Sequence, residues 1–418
     1  MKRRPLALVS AFITIFGLIA PVRAQTAAPP LALRDFVQRV LADHPALQRA
    51  QAELTAARAR ARGQARPLYN PAIELGYENA LDNTKEVGLS QTLDVSGKRG
   101  ARARVAKADV SAAQARLAIT RKTLLGELLG ALANYETARR ALDLARTRVR
   151  LDQDFLALAE KRGRAGDLPQ SELLTARLSL AGARAQESAA DATFSRAQER
   201  LLAVTALAPP ARPLLEGLPP AAPASIDSVD IRSLPEIKLG EAAVAAARAR
   251  IRVAKRNRIP DPTLGLSIGD QRSFSPLAGT ESTTLFGLRL SVPLPVRNSF
   301  SAEVEASGAD WTAAQQNYDD LLRRITARLR TSRQRYQVAF DAWQSWLGQG
   351  ASPLEEQRAL LQRLWHAGEI NAVDYIVQLN QTFATESAAV DLKGRLWSAW
   401  FNWLDAAGTA REWVETIK

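Results

Sequence analysis

Two stretches of the chain alternate between apolar and small or polar residues, and each gives way to a long run with helical spacing. In the first stretch Ile73, Leu75 and Tyr77 fall on one side, with Ala72, Glu74, Gly76 and Glu78 on the other. That period of two is expected of a strand with one wet face. A polar segment, ALDNTK, precedes a returning strand in which Leu89, Gln91 and Leu93 alternate with Ser90, Thr92 and Asp94. The second stretch repeats the plan. Leu264, Leu266 and Ile268 alternate with Gly265, Ser267 and Gly269, the segment QRSFSPLAGTEST follows, and Phe286, Leu288, Leu290, Val292 and Leu294 return opposite Gly287, Arg289 and Ser291. The pattern predicts four strands of about seven to ten residues in two hairpins.

Beyond each hairpin the period changes. From about 98 to 164 there is no proline, and Leu128, Tyr135, Leu142, Val149 and Leu156 recur every seven residues. Ala131, Ala138 and Ala145 stand three residues after the first three of them, a heptad seam of alternating large and small side chains. The second rod carries Leu322, Leu329, Tyr336 and Trp343 at the same spacing, with Ile325 and Trp346 offset by three. Gly348, Gly350 and Pro353 predict a break in it. Rods of this length measure on the order of 100 Å at 1.5 Å per residue.

The two halves form an internal repeat. HPALQRAQAELTAARARARGQARPLYNP, 44–71, matches LPEIKLGEAAVAAARARIRVAKRNRIPDP, 234–262, and each is a helical pattern bounded by prolines. The rods also turn in matched tips, Arg164-Ala165-Gly166-Asp167 and His366-Ala367-Gly368-Glu369, with a carboxylate six residues after each glycine, Glu172 and Asp374. The organisation is therefore a first repeat at 25–206, a proline-rich connector at 207–233 and a second repeat at 234–418, intertwined in one domain. The connector is expected to be irregular and superficial.

The first residues, MKRRPLALVSAFITIFGLIAPVRAQ, have a basic start, a short apolar run and small residues before Gln25, so 1–24 reads as a removed signal peptide. There are no cysteines, which excludes disulfides and thiolate metal sites. The net charge of +13 is spread along the helical patterns and interleaved with acids, with no zinc-finger or RNA-binding signature, so nucleic acid is not an expected partner. Only two histidines occur, His44 beside a helix start and His366 at a tip, and no catalytic motif accompanies them. Trp397, Trp400, Trp403 and Phe401 fit core packing, with a docking patch as the alternative.

The fold class that follows is mainly α with a small β part. Four half-apolar strands cannot close a barrel and leave two open edges. Three chains would supply twelve strands, enough for a barrel with a wet lumen and a lipid-facing exterior. The helices would continue from it as a coiled tube. Gly97, Lys98 and Arg99, with Pro293 and Pro295, would mark the junction of barrel and tube, Lys98 and Arg99 lying near lipid headgroups. A phosphate loop is excluded there because Arg99, not Ser or Thr, follows Lys98.

On the repeat, the strand pairs and both tips, the chain resembles the TolC-like outer-membrane efflux ducts. On NPAIELGYEN and EVGLSQTLDVSGKRGARARV it is similar to their CzcC-like heavy-metal branch. The resemblance implies a homotrimer with a twelve-stranded barrel in outer-membrane lipid and a helical tunnel in the periplasm. It implies a passive, non-enzymatic exit duct without cofactor, served by a periplasmic membrane-fusion adaptor and an inner-membrane RND pump, for divalent cations such as cobalt, zinc or cadmium. Ala165, Gly166, Asp167, Leu168, Ala367, Gly368, Glu369 and Ile370 would meet the adaptor. Asp374 would line the constriction, and Glu172 would hold the tunnel shut. The family's further acid falls on Val377, which departs from the pattern. From the residues alone, Asp374 and Glu172 read equally well as solvated helix-face acids. A duct for drugs or for type I protein secretion, and a periplasmic coiled-coil adaptor or scaffold, stay open as alternatives; the scaffold leaves the lipid-compatible strands without a purpose.

Overall fold

The computed structural model describes residues 32–416, save 81, 211–213 and 276–278. The expected signal peptide, 1–24, lies outside the described residues. The first repeat runs α1 (Leu33–Ala42), α2 (Pro45–Gln64), β1 (Ala72–Asn79), β2 (Asp82–Thr92), α3 (Lys98–Ala165) and α4 (Gln170–Thr205). The second runs α5 (Pro235–Asn257), β3 (Thr263–Ser275), β4 (Gly279–Ser291), α6 (Ser301–Gln349), α7 (Ala351–Ala367), α8 (Ala372–Ala407) and a short α9 (Ala410–Thr416). Helix α2 starts as the sequence suggests: Pro45 needs no N–H partner, and His44 Nδ1 accepts the N–H of Ala46 at 3.1 Å.

The two hairpins join through β2 and β3 into one antiparallel sheet of order β1-β2-β3-β4. The register places Glu74, Gly88, Ser267 and Gly287 in one cross-strand row, and Leu75, Val87, Ile268 and Phe286 in another on the opposite face. The apolar face is bare: Leu75 is 79 % and Phe286 81 % exposed. On the other face glycine is a packing requirement. A Cβ at Gly269 would stand 2.7 Å from the carbonyl oxygen of Lys85, and one at Gly88 3.2 Å from that of Leu266.

The strands are longer than their alternation implies. β2 begins at Asp82, and β3 and β4 each span 13 residues, so most of the expected loops is ladder. Beyond the apolar band both faces of the ribbon are polar, and backbone pairing continues there without a sequence period to reveal it.

α3 is one uninterrupted helix of 68 residues, and α6 stops at Gln349 as the two glycines predict. Pro353 falls in the first turn of α7, where the missing N–H is harmless. The seam is real: Leu128, Tyr135, Leu142 and Val149 are buried, as are Leu329, Tyr336 and Trp343. Half-way down the rods Leu128, Tyr135, Leu329, Tyr336 and Trp343 form one core with Leu396, Trp397, Trp400, Phe401 and Trp403 of α8, covered by α1 and α9. The tryptophan patch is thus core. The connector is more than a superficial link. The seam tyrosines of both rods bind it, Tyr135 donating to the Pro210 carbonyl at 3.0 Å and Tyr336 to that of Pro220, while Glu136 accepts the Leu214 N–H at 2.9 Å and Leu215 is buried.

Candidate functional site: the tips and the barrel–tube junction

The junction is built around a turn and a buried charge. Gly97 takes a left-handed conformation, φ 73°, that a residue with a Cβ adopts at a cost. Asp94 then caps α3, accepting the N–H groups of Lys98 at 2.7 Å and Arg99 at 2.8 Å. Lys98 corrects the expectation from sequence. Its side chain turns inward, not toward headgroups, and Nζ lies 2.8 Å from Oδ2 of Asp261 in the link between α5 and β3. The same oxygen accepts the Tyr69 hydroxyl at 2.7 Å, and both ion-pair partners are buried. Asp261 has no other cation within ion-pairing distance among the described residues, which is the physical reason Lys98 is drawn in. Arg99 remains exposed. In the second repeat Pro293 and Pro295 sit in an exposed extended segment after β4, and Phe300, φ 55°, supplies the left-handed residue before α6.

The two tips share one hydrogen-bond pattern. At the first, Gly166 (φ 84°) donates to the Gly163 carbonyl at 3.2 Å and Asp167 to that of Arg162 at 2.9 Å. At the second, Gly368 (φ 80°) donates to Trp365 at 3.2 Å and Glu369 to Leu364 at 2.9 Å. Both are Schellman ends, which is why each rod stops at glycine. Ala165, Gly166, Asp167, Ala367, Gly368 and Glu369 are exposed. Leu168 and Ile370 are half-buried against a cluster of Phe155, Trp365 and Tyr375.

Glu172 and Asp374 are each the third residue of their helix, α4 and α8. They do different things. Glu172 Oε2 reaches across to accept the N–H of Ala372 at 3.1 Å, capping the start of α8. Asp374 stays with its own cap: its N–H donates to Asn371 Oδ1 at 2.8 Å and its carboxylate accepts from Asn371 Nδ2 at 2.7 Å. Asp374 is exposed, and so is Val377. From the first tip Arg162 completes the picture. Its guanidinium donates to the carbonyls of Trp365 at 2.8 Å and His366 at 3.3 Å and lies 4.8 Å from the centre of the Trp365 ring. The first hairpin therefore holds the second at both ends, with a cation on the carbonyl end of α7 and an anion on the N–H end of α8. Each sign matches the local helix dipole. The sequence offered no sign of Arg162 beyond its place one turn before the tip.

Above the tips Asp152 is fully buried between α3 and α4. One oxygen accepts the Ser179 hydroxyl at 3.1 Å and lies 3.9 Å from Arg148 Nε; the other has no partner. Burial pushes its pKa up, against the opposing pull of Arg148 and Ser179. A carboxyl whose folded pKa exceeds its unfolded one favours folding in its neutral form, so this strain grows as pH rises through the folded value. Asp152→Asn is expected to melt above the wild type at pH 7, with the gap closing as the pH is lowered. A gap of the same size at acid and neutral pH would sink that expectation.

Comparison with known proteins follows the same outline. The family model described as outer membrane efflux protein matches residues 36–207 and 231–409, one segment per repeat. CyaE of Bordetella pertussis is 29 % identical over 309 residues, a match spanning 66 % of this chain and 64 % of that protein. The nickel-cobalt-cadmium resistance protein NccC of Alcaligenes xylosoxydans xylosoxydans is 28 % identical over 318 residues, 73 % of this chain and 70 % of NccC. Among solved structures, the open state of the MtrE outer membrane channel of Neisseria gonorrhoeae superposes with a TM-score of 0.72 at 17 % identity, covering 90 % of this chain and 89 % of MtrE. Among the described residues no helix is long and apolar enough to cross a membrane. With both of its repeats matched, the chain belongs to the outer membrane efflux protein family and is an outer-membrane protein.

Proposed function

We propose that the protein is the exit duct of a tripartite efflux system, a homotrimer that passes divalent heavy-metal cations such as cobalt, zinc or cadmium from an inner-membrane RND pump and its periplasmic adaptor to the outside. The observation that carries the duct is the sheet. It has one bare apolar face, one small or charged face, and free edges at β1 and β4. Pairing β4 of one copy with β1 of the next would satisfy both edges and close a twelve-stranded barrel from three copies. The metal assignment draws on the likeness to NccC and on the wet face. There Glu74, Glu78 and Glu86 outnumber Arg289, which lies 3.7 Å from Glu74. In this reading the exposed tip residues meet the adaptor, the Arg162 and Glu172 contacts hold the closed end, and three Asp374 carboxylates near the axis favour cations.

The test is metal and drug susceptibility of a strain lacking the protein, complemented with wild type or Asp374→Ala. Hypersensitivity to cobalt, zinc or cadmium that the wild type rescues is expected, with rescue several-fold weaker for Asp374→Ala at equal expression. Hypersensitivity to dyes and antibiotics alone would keep a duct and remove the metal assignment.

A further inference from the structure

The break between α6 and α7 opens a cavity of about 260 Å³ inside the protomer, walled by α3, α6, α7 and α8. One wall is indole, Trp343 and Trp346. The rest carries four charges whose pairing is uneven. Arg358 of α7 is satisfied by Glu386 of α8 at 3.4 Å. Among the described residues, Arg140 of α3 and Lys393 of α8 have no carboxylate within ion-pair distance. Lys393 Nζ stands 5.8 Å from the centre of the Trp343 ring. Its pKa is lowered, by burial first and then by the neighbouring Arg140 charge. Trp343 is only 8 % exposed.

A half-enclosed apolar wall beside two cations that have no ion-paired carboxylate among the described residues is an arrangement with a missing partner. Unpaired like charges repel. A single molecule with a flat apolar body and one acidic group would cover the indole wall and offset the repulsion. Its ring would lie along the indoles, and its oxygens would accept from Lys393 and Arg140. We propose that this cavity binds a small aromatic carboxylate, one per protomer. The bound anion would touch α3, α6 and α8 together and so bridge the place where the second rod is interrupted. This assignment is independent of which cargo the duct carries.

The probe is 4-fluorobenzoate, followed by the fluorine NMR signal on the purified full-length protein in detergent, with empty micelles subtracted. Saturable binding at one site per protomer is expected, competed by benzoate but not by benzylamine, which has the same ring and the opposite charge. Inorganic sulfate, an anion without a ring, should compete at least tenfold less well than benzoate. Lys393→Gln and Arg140→Gln should each weaken binding about tenfold or more, and Trp346→Ala several-fold, whereas Arg289→Gln on the sheet should change nothing. Because Lys393→Gln removes an unpaired, half-buried cation, it should melt no lower than the wild type, so loss of binding is separable from loss of fold. Non-saturable uptake, equal competition by sulfate, or unchanged affinity in a folded Lys393→Gln protein would overturn the assignment.

Discussion

Lys98→Met is expected to be the most destabilising single change at the junction, costing about 3–5 kcal/mol. The ion pair it breaks is buried on both sides, and Asp261 Oδ1 already lacks a partner. Without Lys98, the Asp261 carboxylate would keep only the Tyr69 hydroxyl. Such a carboxylate must either stay ionised in a poor environment or take up a proton, and both are costly. The effect is a penalty for an uncompensated charge, so it should largely vanish when the charge goes too. Lys98→Met/Asp261→Asn should recover most of the loss. Arg99→Met, one residue on and exposed, should stay within about 0.5 kcal/mol of the wild type. Denaturation midpoints of the helical signal in detergent read all three. Equal midpoints for Lys98→Met and Arg99→Met would mean that the pair contributes nothing.

That ion pair also marks where the sequence stops being legible. Periodic features were readable because one residue type had to recur: the apolar face of the sheet, the heptad seam, the paired tips and the break at Gly350. Lys98 and Asp261 are 163 residues apart, and neither sits in a periodic pattern. Only the folded meeting of the two repeats brings them together. Nor did alternation foretell the outer halves of β3 and β4, because those residues have water on both faces and no reason to alternate. α1 was legible and went unread, since Leu33, Phe36, Val37 and Val40 stand at i, i+3, i+4 and i+7, the stripe of an amphipathic helix, whereas α9, seven residues long, is too short to show a period. Asp152 is different, since a signal was present. The alanine series 131, 138, 145 continues by one heptad onto Asp152, so a carboxylate occupies a seam position and its burial was foreseeable. Arg162 had no such signal. It lies one position after Lys161 and two before Arg164, and nothing in that basic run says which cation turns back onto the neighbouring helix.

Arg162→Ala is expected to shift the tips toward the open state and raise single-channel conductance in planar bilayers. Two charged hydrogen bonds to the end of α7 are lost at once, together with the stacking on Trp365. Hydrogen bonds to charged groups contribute about 1.5–3 kcal/mol each, and about 1.4 kcal/mol corresponds to a tenfold change in a two-state equilibrium. A tenfold or larger gain in the open fraction follows if the clamp is released on opening. Glu172→Gln should give a smaller gain in the same direction, because an amide oxygen can still accept the Ala372 N–H but carries no charge to oppose the α8 dipole. Asp374→Asn should behave differently. Its contacts stay within its own helix cap, so it should leave the open fraction unchanged and reduce the preference for cations over anions. These outcomes separate holding the tip closed from selecting what passes through it. If Asp374→Asn opened the channel while Arg162→Ala did not, the contact between hairpins would be packing alone, and closure would not reside in it.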